Sequence, residues 1–235
     1  MKSDSFNIKI QFGILLFSLL TINGATAQGV LYNIIEYPVI PKVYCEMNKK
    51  VNETSGLLLF DRGIWTFNDS GGKPELYRIE KESGKISQKI TLENGENYDW
   101  EDITGDEEYI YIGDFGNNKG NRKDLKIYKI AKKHIGSKKK TKVRAEIINF
   151  SYNDQESFVV NNRKNNYDCE SVISFGDSLI IFSKNWVNEK TRMYKLPKTP
   201  GMYDLSTTVP LYFCLLTSMA GISMEAMFTV SISLV

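Results

Sequence analysis

Two short segments place a pair of acids, two residues apart, behind a tyrosine: Tyr98-Asp99-Trp100-Glu101 and Tyr167-Asp168-Cys169-Glu170. On an extended strand, residues i and i+2 face the same side, so Asp99 would project with Glu101, and Asp168 with Glu170. Carboxylates gathered in this way are hard oxygen ligands and suit Ca²⁺. Glu53, in Glu53-Thr54-Ser55-Gly56-Leu57, is a further candidate for the same set. Acids on such strands also cap backbone amides, pair with lysines or act in catalysis, and the residue types alone leave these roles open. Asp69 and Asp114 lie in the loops Asn68-Asp69-Ser70-Gly71-Gly72 and Gly113-Asp114-Phe115-Gly116-Asn117-Asn118. Such loops read first as turns with left-handed backbone positions, and their acids are candidates for binding a cation or a sugar.

Other chemistries find less support. His134 is the sole histidine and falls among Lys132, Lys133, Lys138, Lys139, Lys140, Lys142 and Arg144, a stretch expected to form a solvated hairpin loop. That argues against a Ser-His-Asp triad and against imidazole metal sites. Three cysteines, Cys45, Cys169 and Cys214, show no C-x-x-C spacing, which removes the usual zinc and redox motifs. A Cys45–Cys169 bridge is compatible with export, but unpaired thiols are the simpler reading. With 30 Lys and Arg against 28 Asp and Glu, the formal net charge is +2, so bulk charge does not favour a nucleic-acid partner.

The elements that must hold the acids recur along the chain. Each unit reads as acid, strand, polar turn and a second strand with a central tyrosine. The strands are Gly63–Phe67 and Leu76–Ile79, then Tyr109–Ile112 and Ile127–Ile130, then Ser178–Phe182 and Met193–Leu196. Ile127-Tyr128-Lys129-Ile130 should alternate, with Tyr128 and Ile130 on one side and Ile127 on the other. Lys81–Lys85 reads as a turn leading into a further strand at Ile86–Ile90. Taking Glu53, Glu101 and Glu170 as the opening acids gives spacings of 48 and 69 residues. The first matches one propeller blade, and the second a blade enlarged by the basic stretch. The expected fold is therefore all-β, a β-propeller with about three to four blades of a longer ring. Trp65, Trp100 and Trp186 would pack between blades or offer a stacking surface to sugar rings.

The segments Trp65–Gly72, Asp99–Asp102, Gly113–Asn118 and Asp168–Glu170 resemble exported bacterial β-propellers of the phytase-like and NHL-like kind, which have six or so blades. The resemblance spans roughly residues 50–203. It implies for Glu53 a position like that of the other opening acids. It also brings one enzymatic alternative, a Ca²⁺-dependent phosphoester hydrolase in which clustered ions neutralise phosphate and activate water. Phosphate chemistry needs Lys or Arg close to the acids, and the acid motifs carry none in sequence. The first expectation is thus a non-catalytic binding or interaction module for an extracellular ligand or protein.

The ends differ from the middle. Lys2 and Lys9 precede an apolar run, Phe12 to Ile22, that closes on Ala25-Thr26-Ala27. This is the pattern of a cleaved signal peptide over residues 1–27, with a mature chain starting near Gln28. The run is too short for a span of about 20 residues. Export to the periplasm, cell surface or medium is expected. Residues 28–204 would form the partial propeller. Residues 205–235 read as an apolar tail, either a truncated or out-of-frame end, or a segment that contacts a membrane if it inserts.

Overall fold

The computed structural model describes residues 43 and 45–209. Those from Cys45 onward belong to one compact unit. The expected signal peptide, Cys214 and residues 210–235 of the expected tail lie outside the described residues.

The described chain is all-β. Its strands are β1 (Thr54–Phe60), β2 (Gly63–Asn68), β3 (Glu75–Ile79), β4 (Ile86–Leu92), β5 (Trp100–Gly105), β6 (Tyr109–Asp114), β7 (Lys126–Ala131), β8 (Lys140–Val143), β9 (Glu146–Tyr152), β10 (Asp168–Phe175), β11 (Ser178–Lys184), β12 (Thr191–Pro197), β13 (Gly201–Leu205) and β14 (Thr207–Val209). One 3₁₀ turn, Lys132–His134, interrupts them. No helix among the described residues is long and apolar enough to cross a membrane.

Three sheets follow one strand plan, in the orders β1-β2-β3-β4-β8, β5-β6-β7-β9-β13 and β10-β11-β12-β14. Each begins with an antiparallel meander of short, β-branched and aromatic strands joined by polar turns. The added fifth strands come from elsewhere in the chain. β8, in the connection between β7 and β9, runs parallel to β4 of the first sheet. β13, which follows β12, runs parallel to β9 of the second. The β7–β9 connection thus finishes the edge of the first sheet, and the β12–β14 connection that of the second.

This revises the reading of the basic stretch. Part of it is strand β8, whose Lys140 and Lys142 are exposed while Val143 is buried. Exposed lysines on an outer strand discourage further edge-to-edge pairing. The boundary expected at residue 205 also shifts, because Leu205 ends β13 in the core and β14 pairs with β12.

Burial follows the alternation of the strands. Trp65, Phe67, Trp100, Ile110, Ile112, Tyr128 and Ile130 fill the core between the first and second sheets. Tyr111, Phe115, Ile127, Phe150, Val172, Ile181 and Tyr194 fill the core on the other face of the second sheet. Tyr128, Ile130 and Ile127 thus take the sides that the alternation predicts. Trp100 meets Phe67 edge-on at 5.4 Å, and its indole N–H donates to Glu96 O at 2.8 Å. Trp186 does not join either core. Cys45 and Cys169 are both free thiols.

Candidate functional site

The candidate acids Glu53, Asp99, Glu101, Asp168 and Glu170 lie at or just before the start of the first strands β1, β5 and β10, and β5 lies between β1 and β10. Both β5 and β10 contain an extra residue relative to their partners. Trp100 faces Asp114 and Asp102 faces Gly113, which leaves Glu101 unpaired. Cys169 faces Ser183 and Ser171 faces Phe182, which leaves Glu170 unpaired. A β-bulge re-aims side chains locally, and here it presents a glutamate at the same place in two neighbouring strands.

Register also corrects the alignment of the first unit. Asp69 N donates to Glu53 O at 2.8 Å, just as Phe115 N donates to Asp99 O at 3.2 Å. Glu53 therefore matches Asp99, and Ser55 takes the place of the bulge glutamate. Ser55 Oγ donates to Glu101 O at 2.5 Å and ties β1 to β5. Glu53 itself is exposed, and its carboxylate stays outside the group that converges.

The converging group is Asp69, Asp99 and Glu101, all half-buried, with one ligand oxygen from each lying within 4.8 Å of the others. Asp69 comes from the loop after β2, Asp99 from the loop just before β5 and Glu101 from the β5 bulge. Gly116 makes the approach feasible, since a Cβ built there would overlap Glu101 Oε1 and Asp99 Oδ2. Neither the Asp99 nor the Glu101 carboxylate receives a hydrogen bond among the described residues. Gly116→Ala is accordingly expected to push the two carboxylates apart. Any cation that this group holds should bind the variant at least about tenfold more weakly, a loss of about 1.4 kcal/mol, with the β-rich circular dichroism spectrum retained.

Electrostatics mark the same place. Burial raises the Asp99 carboxyl to about 6, helped by the charge of Asp69 and opposed by Arg122. Burial, then Glu170, Asp69 and Asp99, push Glu101 well above the usual carboxylate range. Glu170 rises to about 8, mainly through burial and the charge of Asp168, although Lys184 pulls it down. Lys184 Nζ lies 3.2 Å from Glu170 Oε1. Like-charged groups in a partly desolvated cluster favour proton uptake unless a cation compensates.

The remaining candidates have structural partners. Asp168 is fully buried. It accepts hydrogen bonds from Asn117 N at 2.5 Å and from the Trp186 indole N–H at 2.7 Å. Asp114 is also fully buried, pairs with Arg122 at 2.9 Å and accepts from Asp99 N at 3.1 Å. Burial raises Asp114, and the Arg122 charge works against that rise. These two acids anchor loops. His134 is exposed in the 3₁₀ turn.

Three contributors escaped the sequence reading. Asp102 is buried and accepts from Ser171 Oγ and Val172 N, each at 2.9 Å, across the junction of β5 and β10. Arg122 is buried and spends its donors on Asp124, Gly116 O, and Asp114. Tyr98 stands 58% exposed at the mouth of a pocket of about 310 Å³ that Asp99 also lines. The Asp99–Asp102 motif contained Asp102, but no local pattern distinguishes an acid facing a neighbouring sheet from one facing solvent.

The sequence matches no protein-family model and no curated protein.

Proposed function

We propose that this chain is an exported, propeller-type binding module that holds a calcium ion at Asp69, Asp99 and Glu101 and does not itself catalyse a reaction. One observation carries the reading: three carboxylate oxygens from two loops and a bulge lie within 4.8 Å of one another. That separation is within the span of two Ca–O bonds of about 2.4 Å each. Backbone oxygens and water would complete the six to eight ligands calcium takes. The propeller part is supported by the recurrent strand plan of the three sheets and by the two connections that each complete the sheet before them. Export is supported by the basic, apolar and Ala25-Thr26-Ala27 pattern of the leader.

The phosphoester hydrolase reading has weaker support. Arg122 is the buried cation nearest the acids, and its donors are already occupied by protein acceptors. A phosphate at the cluster would lack the cationic clamp that phosphoryl chemistry uses.

Isothermal titration with CaCl₂ at neutral pH tests the proposal. We expect one saturable site in the wild-type chain and none in Asp69→Asn or Glu101→Gln. Absence of calcium binding to the folded protein overturns the cation site. Calcium-dependent turnover of p-nitrophenyl phosphate, lost in Glu101→Gln, overturns the non-catalytic assignment.

A further inference from the structure

Repeat-related acids in the second and third sheets have opposite fates. Tyr167-Asp168 is closed by protein: Trp186 and Asn117 satisfy the carboxylate, and the Tyr167 hydroxyl donates to Asp154 O at 2.7 Å. The Tyr167 ring also packs on Tyr152 at 5.4 Å. Tyr98-Asp99 occupies the same place one sheet earlier and is left open. The Asp99 carboxylate and the Tyr98 hydroxyl have no hydrogen-bond partner among the described residues, and both border the pocket of about 310 Å³. What the protein supplies to one copy is left, at the other, to solvent or to a ligand.

The rest of the wall defines the ligand. Ser70, Asn118, Lys119 and Asn121 also line the pocket, and the hydroxyl, carboxamide and ammonium ends of their side chains make no hydrogen bond among the described residues. They offer donors and acceptors in mixture, beside one exposed aromatic ring. An apolar ligand would desolvate all of them without compensation. An anion would meet Asp99 and find Arg122 already occupied. A cationic ligand filling the pocket away from the Asp69–Asp99–Glu101 group would meet Lys119 and the Arg122 guanidinium, which sits 4.5 Å over the Tyr98 ring. A neutral, hydroxyl-rich ligand with one apolar face satisfies every group. The volume lies at the small end of ligand pockets, which run from about 300 Å³ upward, and suits one or two sugar rings.

We propose that this pocket is a saccharide-binding site, in which Asp99, Asn118 and Asn121 hydrogen-bond sugar hydroxyls and Tyr98 stacks against the ring. The proposal deepens the binding-module reading but does not require the cation, because Asp99 can accept directly from hydroxyl groups.

Saturation-transfer NMR of the full chain tests it, using methyl glycosides of glucose, galactose and mannose, N-acetylglucosamine, and the corresponding linear disaccharides. Each titration is run in calcium and in EDTA. We expect saturable transfer for at least one sugar in at least one of these buffers, centred on ring protons of a single face. Tyr98→Ala should weaken it about tenfold, in keeping with the loss of an aromatic stacking partner. Asn121→Ala should weaken it without altering the melting temperature. The exposed position of Tyr98 keeps its variant folded, and a melt verifies this. No saturable transfer from any sugar overturns the proposal, as does undiminished binding in folded Tyr98→Ala. Displacement of the sugar by inorganic phosphate at equal concentration also overturns it, in favour of an anion site at Lys119. Calcium binding by calorimetry is read separately, so failure of the cation site and failure of the sugar site are distinguishable.

Discussion

Saturating Ca²⁺ is expected to raise the melting temperature by roughly 5–10 °C at neutral pH. A ligand at a hundredfold excess over its Kd stabilises the folded state by about 2.7 kcal/mol, and each kcal/mol shifts a chain of this size by about 2–4 °C. Glu101→Gln should remove the shift while raising the calcium-free melting temperature near neutral pH, because it removes a carboxyl whose ionisation is opposed by burial and by Glu170, Asp69 and Asp99. The pH dependence sharpens the test. Asp99 and Asp102 rise from 3.8 to about 6, and Glu170 rises from 4.5 to about 8. Each therefore holds its proton more tightly folded than unfolded. The sign follows: between about pH 4 and pH 8 the unfolded chain releases protons that the folded chain retains, so calcium-free stability falls as pH rises. Acids held low, such as Asp106 at about 2 beside Lys198 and Tyr109 N, exert their opposite effect only below that window. Melts in EDTA should decline across the window, and melts in calcium should be flatter. Identical profiles in the two buffers would defeat the cation assignment.

Asp102→Ala is expected to be the most destabilising exchange at the acid-bearing strands, at about 3 kcal/mol or more. Asp102 is fully enclosed at the junction of β5 and β10 and receives Ile103 N at 2.8 Å along with Ser171 Oγ and Val172 N. Burial raises its carboxyl, while those hydrogen bonds hold it down. Alanine would strand the Ser171 hydroxyl and the Val172 amide in a dry junction, and each unsatisfied buried group costs about 1–3 kcal/mol. The melting temperature should fall by roughly 6–12 °C. Asp102→Asn keeps an acceptor and should lose less than half as much. A small effect of the alanine exchange, within about 0.5 kcal/mol, would mean that the two sheets do not depend on this contact. The comparison also separates anchoring from ligation, since Asp102→Asn should leave calcium binding intact whereas Glu101→Gln should not.

Much of the local architecture was legible in the residues. Strand segments such as Tyr109–Ile112 and Met193–Leu196 announced themselves because runs of apolar and aromatic residues are bounded by polar turns, with burial alternating with period two along Met193–Leu196. The two-sided burial of Ile127, Tyr128 and Ile130 followed from the same rule. Asp99 and Glu101 were visible as a pair for the same reason. By itself the sequence determined an all-β chain with a recurrent strand-turn-strand order and acids at the heads of its strands. Tertiary structure decided which acids meet. A shared glutamate suggested that Glu53 matches Glu101, but one extra residue in each first strand sets the register, and backbone pairing aligns Glu53 with Asp99. Asp69 enters the group because a loop from the first sheet reaches the bulge of the second. Asp168 leaves it because Trp186 and Asn117 take its oxygens. Strands β8 and β13 were invisible for a related reason: their partners lie about 50 residues away in the chain, and such pairings depend on edges exposed only after neighbouring sheets have formed. Local periodicity records which face of a strand is buried; convergence of charges is set by contacts between sheets, which no short window of residues contains.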